Sequence, residues 1–360
     1  MTEQEALIVL NAVPNLSAIH IRKLMFYFGG ALEVLGASID ELRISRIVTP
    51  ETSENIFHFS KDKFLQDEYN LIQRKKITVL TAADEDFPCS LKDFDDSPVV
   101  LYIKGEQNCF SPMSVALVGS RAASYYGIKS AKSFAQAFCQ AGMTVVSGLA
   151  RGIDTAAHQG ALEAGGKTIA VIGCGFNYMY PKENYSLMEF ISRHGAVVSE
   201  FACTMPPLKQ NFPWRNRIIS ALSRATVVIE AGSKSGALIT ADYALAQNKD
   251  VFVLPSNIDT QTALGSNQLI QDGARVALNP DDVLSQIKEG HIPSSNEQGA
   301  LLLLSDEQSR VYPHITYQPV HLDELVKRSG LNISSLMNIT LSLELKRAIR
   351  QLPGQYYVRN

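Results

Sequence analysis

"VALVGSRAAS", residues 115–124, sets four apolar residues ahead of a glycine, the pattern of a buried parallel strand that feeds a ligand-binding turn. A dinucleotide-binding turn would carry G-x-G-x-x-G at this place, its second glycine bare so that a pyrophosphate can reach the backbone. Here the order is Gly119, Ser120, Arg121. A guanidinium in the turn argues against an ordinary dinucleotide cofactor and for another kind of anion.

Outward from this stretch the pattern is regular. Apolar strand candidates recur at 115–118, 143–147, 168–172, 196–199, 225–229, 250–254 and 275–278. Helical stretches lie near 124–141, 152–164, 182–194, 213–224, 236–248 and 280–288. Such alternation predicts an α/β fold with a doubly wound, mostly parallel sheet. Residues 1–75 read as short helices, with two β segments after them around a Pro/Asp-rich loop. The stretch 290–299 is a polar linker, and residues 300–360 outline two amphipathic helices and a hairpin turning at Pro353-Gly354, the plan of a winged helix. The predicted domains are thus 1–75, 76–289 with a core at 111–289, and 300–360.

Composition limits the function. Of 360 residues, 46% are apolar and 19% charged, with a formal net charge of −3, so no global positive field marks a polyanion binder. Any such site must be local. The five cysteines form no C-x-x-C pair, which argues against structural zinc and fits a reducing cytosol. "MTEQEALIVLNAVPN" has no basic region ahead of its apolar run, and no apolar run reaches the ~18 residues of a membrane helix. The expectation is a soluble cytoplasmic protein with no membrane partner.

In open α/β sheets ligands bind beyond the carboxyl ends of the strands. The residues following the predicted strands include Gly119, Ser120 and Arg121, then Ser147 and Arg151, Lys182, Lys209 and Phe212, and finally Lys234, Ser235 and Gly236. Glycine turns and helix N-termini offer backbone N–H groups to anions, and arginine adds a bidentate phosphate donor. Any one turn has a purely structural reading, because strand–helix junctions need glycine. Their recurrence at one sheet edge points to a row of phosphates.

"NFPWRNRIIS" (211–220) sharpens this. Pro213 suits a first helical turn, which would put Arg215, Asn216 and Arg217 there as well. Cations in that position oppose the helix dipole. They are either salt-bridged to acids elsewhere or face a phosphate backbone, with Phe212 or Trp214 as a stacking surface. From 206 to 249 there are six Lys/Arg against two acids, a local excess inside a net-negative chain.

Catalytic patterns are weak. Asp154 and His158 stand at i,i+4 without a third metal ligand, and Asp154 suits a helix cap. "GSKSG" has Lys234 at its centre, so it is no nucleophile elbow, and there is no P-loop. Cys174 has no evident base. The residues predict neither an enzyme, a metal nor a cofactor.

Four blocks, "VALVGSRAASYYG", "VVSGLARGIDTAAHQGALEAGGKTIAVIGCGFNYMYPKEN", "NFPWRNRIISALS" and "VVIEAGSKSGALITADYALAQNKDVFVLP", resemble the DprA/Smf family in order. The resemblance implies an extended Rossmann-like domain that binds single-stranded DNA, hands it to the RecA recombinase during natural transformation, and dimerises through that domain. It implies a phosphate-gripping role for Arg121, a basic contact at Lys209, a stacking ring at Phe212 and a further cation at Lys182. It implies a SAM-like or helix-hairpin-helix N-terminal segment, although "PNLS" (14–17) lacks the usual hairpin glycines, which favours packing or protein contact there. The tail resembles the family's winged helix. Its candidate recognition helix is uncharged until its end, which points to partner docking or self-association. Two rivals stay open. One is a phosphoribohydrolase-like enzyme, which would need P-G-G-x-G-T-x-x-E where this chain has "EAGSKSGALIT". The other is a winged-helix transcription regulator with a ligand-sensing α/β domain.

Overall fold

The computed structural model describes residues 1–111, 113–289, 306–315, 320–345, 348–352 and 354–359. The chain divides into two compact units, Met1–Gly290 and His291–Asn360. The linker read at 290–299 and Pro353 of the hairpin turn lie outside the described residues.

In the first unit nine strands form one sheet: β1 (Thr78–Thr81), β2 (Val100–Gly105), β3 (Ser114–Gly119), β4 (Thr144–Ser147), β5 (Thr168–Val171), β6 (Ala196–Ser199), β7 (Ala225–Glu230), β8 (Asp250–Val253) and β9 (Arg275–Val276). Their order is β1-β2-β6-β5-β4-β3-β7-β8-β9. The run from β6 to β9 is parallel, while β2 joins β6 and β1 joins β2 antiparallel. The sequence pattern finds all seven parallel strands; β3 to β8 are covered on both faces and so apolar at nearly every position, while β9 is a two-residue exposed edge.

β3 shows how the layers are built. Alternate side chains leave opposite faces of a strand. Val115 and Leu117 pack with Phe134, Phe138 and Ala157 from the helices Tyr125–Gln140 and Ile153–Glu163. Ala116 and Val118 face Ile218, Ala237 and Ala241 from the helices Asn211–Ala221 and Gly236–Ala246. Burying each Val, Leu, Ile or Phe side chain here contributes roughly 1.5–3 kcal/mol, and each alanine methyl about 0.8 kcal/mol.

The N-terminal helices are fastened to this sheet within the same unit. Leu7, Leu10, Ile21 and Leu24 share one core with Tyr102, Leu149, Ala170 and Ile172. Polar ties cross the same seam: Asn11 Nδ2 donates to the Glu200 carbonyl at 2.7 Å, and Arg22 Nη1 to the Ser97 carbonyl at 2.5 Å. The Cys203 N–H donates to Glu68 Oε1 at 2.6 Å, and burial raises that carboxyl above its ordinary range. At "PNLS", Asn15 takes φ 61°, a left-handed turn that asparagine tolerates, and Ser17 caps the helix Ala18–Phe28. The turn there is made by a side-chain cap in place of a glycine hairpin.

The second unit is a winged helix. β10 (Val320–His321), β11 (Ile349–Leu352) and β12 (Tyr356–Arg359) pair in the order β10-β12-β11. Gly330, at φ 70°, stops the helix Leu322–Ser329 before the helix Ile333–Leu345 begins. Leu325, Leu336, Leu343, Ile349 and Tyr357 make its core.

Candidate nucleic-acid interface

The chain leaves β3 on one side for β4, β5 and β6, and on the other for β7, β8 and β9. The turns after β3 and β7 therefore face each other across the switch point of the sheet, where such folds hold ligands. A cleft of 590 Å³ opens there. Gly119, Ser120 and Arg121 form one wall, Lys234, Ser235 and Gly236 the other, and Phe212 projects from the helix Asn211–Ala221. Packing dictates Gly119: a Cβ there would stand 2.5 Å from Ile153 Cγ1 and 2.8 Å from the Glu230 carbonyl oxygen. The Ser120 N–H donates to that carbonyl at 2.6 Å, which fixes the turn and leaves Arg121 exposed. Opposite, Ser235 caps the helix Gly236–Ala246.

The Arg121 guanidinium lies 5.6 Å from the Phe212 ring centroid, and the Tyr180 ring lies 5.1 Å from Phe212 on a 48° tilt. Gly173 makes room for this pair, since a Cβ there would approach Phe212 Cδ1 to 2.8 Å. A second cleft, of 230 Å³, is lined by Arg121, Arg151, Tyr180 and Phe212. A third, of 680 Å³, takes Arg151 and Tyr180 as shared walls and adds Tyr178, Lys182 and Tyr185. The three make one groove past the carboxyl ends of β7, β3, β4 and β5. Arg121, Lys182, Lys209 and Lys234 are all exposed and have no ion-pair partner among the described residues. Lys209 precedes Phe212 on the approach to the helix and lines none of the three clefts. Arg151 is exposed but paired with Glu183.

Four of the residues read from sequence are buried and bonded within the fold, Arg215 and Asn216 among them while also lining the first cleft. The Ser147 hydroxyl is buried and donates to the Leu117 carbonyl at 2.6 Å, tying β4 to β3. Arg217 is 1% exposed, binds both oxygens of Glu200 at 2.8 and 2.6 Å, and covers the Trp214 ring at 4.2 Å. The salt-bridge alternative describes it, and Trp214 is no free stacking face. Arg215 is 4% exposed beneath the groove and donates to the Gly148 carbonyl at 2.6 Å and to the Val171 carbonyl, holding the ends of β4 and β5. Burial pulls its pKa down to about 10. Asn216 donates to the Gly236 carbonyl at 3.0 Å and accepts from Arg215 Nε at 3.1 Å. The helix begins at Asn211, so Pro213 is its third residue and Arg215 to Arg217 fall in its second turn. Proline is tolerated anywhere in a first turn whose N–H groups have no intrahelical partner.

Asp154 and His158 are likewise interior. Gly152 is the cap residue, and Asp154 is the second residue of the helix, in its first turn, accepting from the Ala150 N–H at 3.2 Å. Burial raises its carboxyl, with Arg215 acting in the opposite sense. Leu149 is buried at φ 57°, a strained conformation of the kind retained where a turn must present its neighbours. The ring that sequence reasoning missed is Tyr180. Its signal is the aromatic cluster in "GFNYMYPKEN", a stretch whose reading singles out Gly175 and Lys182 and no ring.

The helix Ile333–Leu345 of the winged unit presents Ile333, Met337 and Leu341 to solvent at i, i+4 and i+8. Its terminal cations lie outside the described residues. Among the described residues no cluster of His, Cys, Asp and Glu is placed to hold a metal ion, and no helix is long and apolar enough to cross a membrane.

Comparison with known proteins agrees with this architecture. Residues 78–288 match the family described as DNA recombination-mediator protein A, and residues 296–355 match the DprA winged helix domain. The DNA processing protein DprA of Streptococcus pneumoniae is 39% identical over 255 residues, 70% of this chain and 90% of its own. Protein Smf of Escherichia coli is 36% identical over 287 residues, 77% of this chain and 76% of its own. The solved S. pneumoniae DprA structure superposes with a TM-score of 0.68 at 37% identity, covering 79% of this chain and 98% of that one. A Helicobacter pylori DprA structure, described for its single-stranded DNA binding mode, superposes with a TM-score of 0.54 at 28% identity over 59% of this chain and 96% of its own. With the family's winged helix present as well, the chain belongs to the DNA recombination-mediator protein A (DprA/Smf) family.

Proposed function

We propose that this protein binds single-stranded DNA along the groove at the carboxyl edge of its sheet, shields it, and passes it to a RecA-type recombinase during DNA uptake or recombination. The observation that carries the reading is the continuity of the groove. Three clefts share walls, unpaired cations stand along them, and Phe212 and Tyr180 form a ring pair in the middle. Unpaired exposed cations suit phosphates, and rings suit unstacked bases, which only a single strand offers. The proposed contacts are Gly119, Ser120, Arg121, Lys182, Lys209, Phe212, Lys234, Ser235 and Gly236, with Arg151 on the flank. Arg215 and Asn216 position them from below.

The handover to RecA rests on the family alone. Dimerisation through the sheet domain has some support in Val276 and Leu278, exposed apolar residues at and beside the edge strand β9.

The test is fluorescence anisotropy of labelled oligo-dT over a salt series, with wild type, Arg121→Ala and Lys209→Ala. Each variant should bind more weakly and flatten the dependence of log affinity on log salt by roughly one unit. A wild type that ignores oligo-dT but binds mononucleotides would replace this reading with the hydrolase-like one.

A further inference from the structure

The third cleft differs in character from the rest of the groove. Tyr178, Tyr180 and Tyr185 line it and remain 40%, 43% and 54% exposed. Their hydroxyls make no hydrogen bond among the described residues, so the phenol groups do not explain the clustering. Single exposed rings are ordinary on a protein surface, but three around one concavity form a platform. Charge there is nearly balanced. Arg151 and Glu183 neutralise each other across its rim, leaving Lys182 as its unpaired cation.

We propose that this cleft is a second base-stacking subsite for single-stranded DNA, resting on the function proposed above. The strand leaves the Arg121–Phe212 step, turns at Tyr180, and lays its next bases on Tyr178 and Tyr185. Continuity argues for this occupant: Arg151, Tyr180 and Pro181 line both the second and the third cleft, so a chain in one is delivered to the other. The chemistry argues the same way. Flat aromatic faces with one free ammonium fit a base and a single phosphate. An apolar peptide would call for aliphatic walls, and only Met179 and the two prolines are of that kind. Because the cleft carries little net charge, its contribution is stacking. It adds affinity with strand length and adds little salt dependence.

The experiment compares oligo-dT of about 4 and about 12 nucleotides, lengths chosen to fill the central step alone or the central step and the cleft. The full chain is used as wild type, Tyr178→Ala, Tyr185→Ala and Tyr185→Phe. The two alanine variants should bind the short oligonucleotide like wild type and the long one about 5- to 100-fold more weakly, with an unchanged salt slope. Tyr185→Phe keeps the ring and should bind both lengths like wild type. Thermal unfolding should be the same in all four. Alanine variants that bind the long strand like wild type would overturn the subsite, as would an equal loss at both lengths or a phenylalanine variant as weak as the alanine one. A cleft that serves a protein partner gives the first of those results. In each of them wild type still binds the short strand, so the function stands. If wild type binds neither length, the function fails and the subsite with it.

Discussion

Arg121 holds its guanidinium 5.6 Å from the centroid of Phe212, a residue 91 positions later that belongs to a helix on the opposite face of the sheet from the one Arg121 leads into. The turn after β3 supplies the charge, and the helix after β6 supplies the ring. Arg121 is in no ion pair among the described residues, and both side chains line the groove. A phosphate bound by Arg121 would thus place the adjoining base beside Phe212.

This proximity predicts coupling between the two. Arg121→Ala should flatten the salt slope by roughly one unit, while Phe212→Ala should weaken binding by about 1–3 kcal/mol at constant slope. The double variant should lose less than the sum, with a coupling of about 0.5–2 kcal/mol, because either single change already breaks the cation–ring contact. A double-mutant cycle on oligo-dT anisotropy measures it. Strict additivity would mean that the two act on separate nucleotides.

Glu183 pairs with Arg151 at the rim of the groove. Its carboxylate is held below the usual range by the hydrogen bond from Arg151, and the two side chains are 50% and 60% exposed. An exposed pair of this kind contributes little to stability. Glu183→Gln should leave the unfolding temperature unchanged, tighten oligo-dT binding several-fold at low salt, and steepen the salt slope by up to about one unit as Arg151 becomes free for a phosphate. Isothermal titration at two salt concentrations checks this, and an unaltered slope would show that Arg151 does not reach the strand.

Arg217 should behave in the opposite way to Arg121. Its charge is buried against Glu200, with a further contact of 3.7 Å to Asp96. Truncating one partner of a buried pair typically costs about 3–5 kcal/mol, since the other charge is left without compensation. Arg217→Ala should therefore lower the denaturation midpoint strongly while the folded protein keeps its affinity for DNA. Arg217→Met combined with Glu200→Leu should recover most of the loss. Urea unfolding in parallel with anisotropy separates the two effects.

Arg121 and Arg217 show where sequence reading stops. Both follow a predicted strand in the sequence, Arg121 two residues after β3 and Arg217 in the second turn of the helix after β6. One is exposed because its turn ends at a sheet edge. The other is buried because Glu200, 17 residues earlier, meets it across the fold. The parallel strands were legible because double-sided burial leaves an apolar run in the sequence itself. Ser147 and Arg215 follow predicted strands in the sequence, but their bonds to the carbonyls of Leu117, Gly148 and Val171 are tertiary and have no local signature. The aromatic cluster around Tyr180 is visible in the sequence, but its meeting with Phe212 depends on a loop folding across a helix, and that pairing has no local pattern.

His158 predicts an acid limb of stability. Thr168 Oγ1 donates to the Val145 carbonyl at 2.8 Å, so the 2.7 Å contact between that hydroxyl and His158 Nδ1 requires the proton on Nδ1. Nε2 is then a buried lone pair with no partner. Protonating it would put a charge into a closed site near Arg215, and burial first, then that arginine, lower the pKa to about 3. The sign follows. With the folded value depressed below the ordinary value of about 6.5, the unfolded chain takes up the proton first as pH falls. The contribution to stability is complete above about 6.5 and is lost progressively between there and about 3. Urea midpoints between pH ~7 and pH ~4 should fall in wild type. His158→Gln, which keeps a neutral donor for Thr168, should start lower and fall less steeply. Parallel curves would show that His158 is not the group whose protonation weakens the fold.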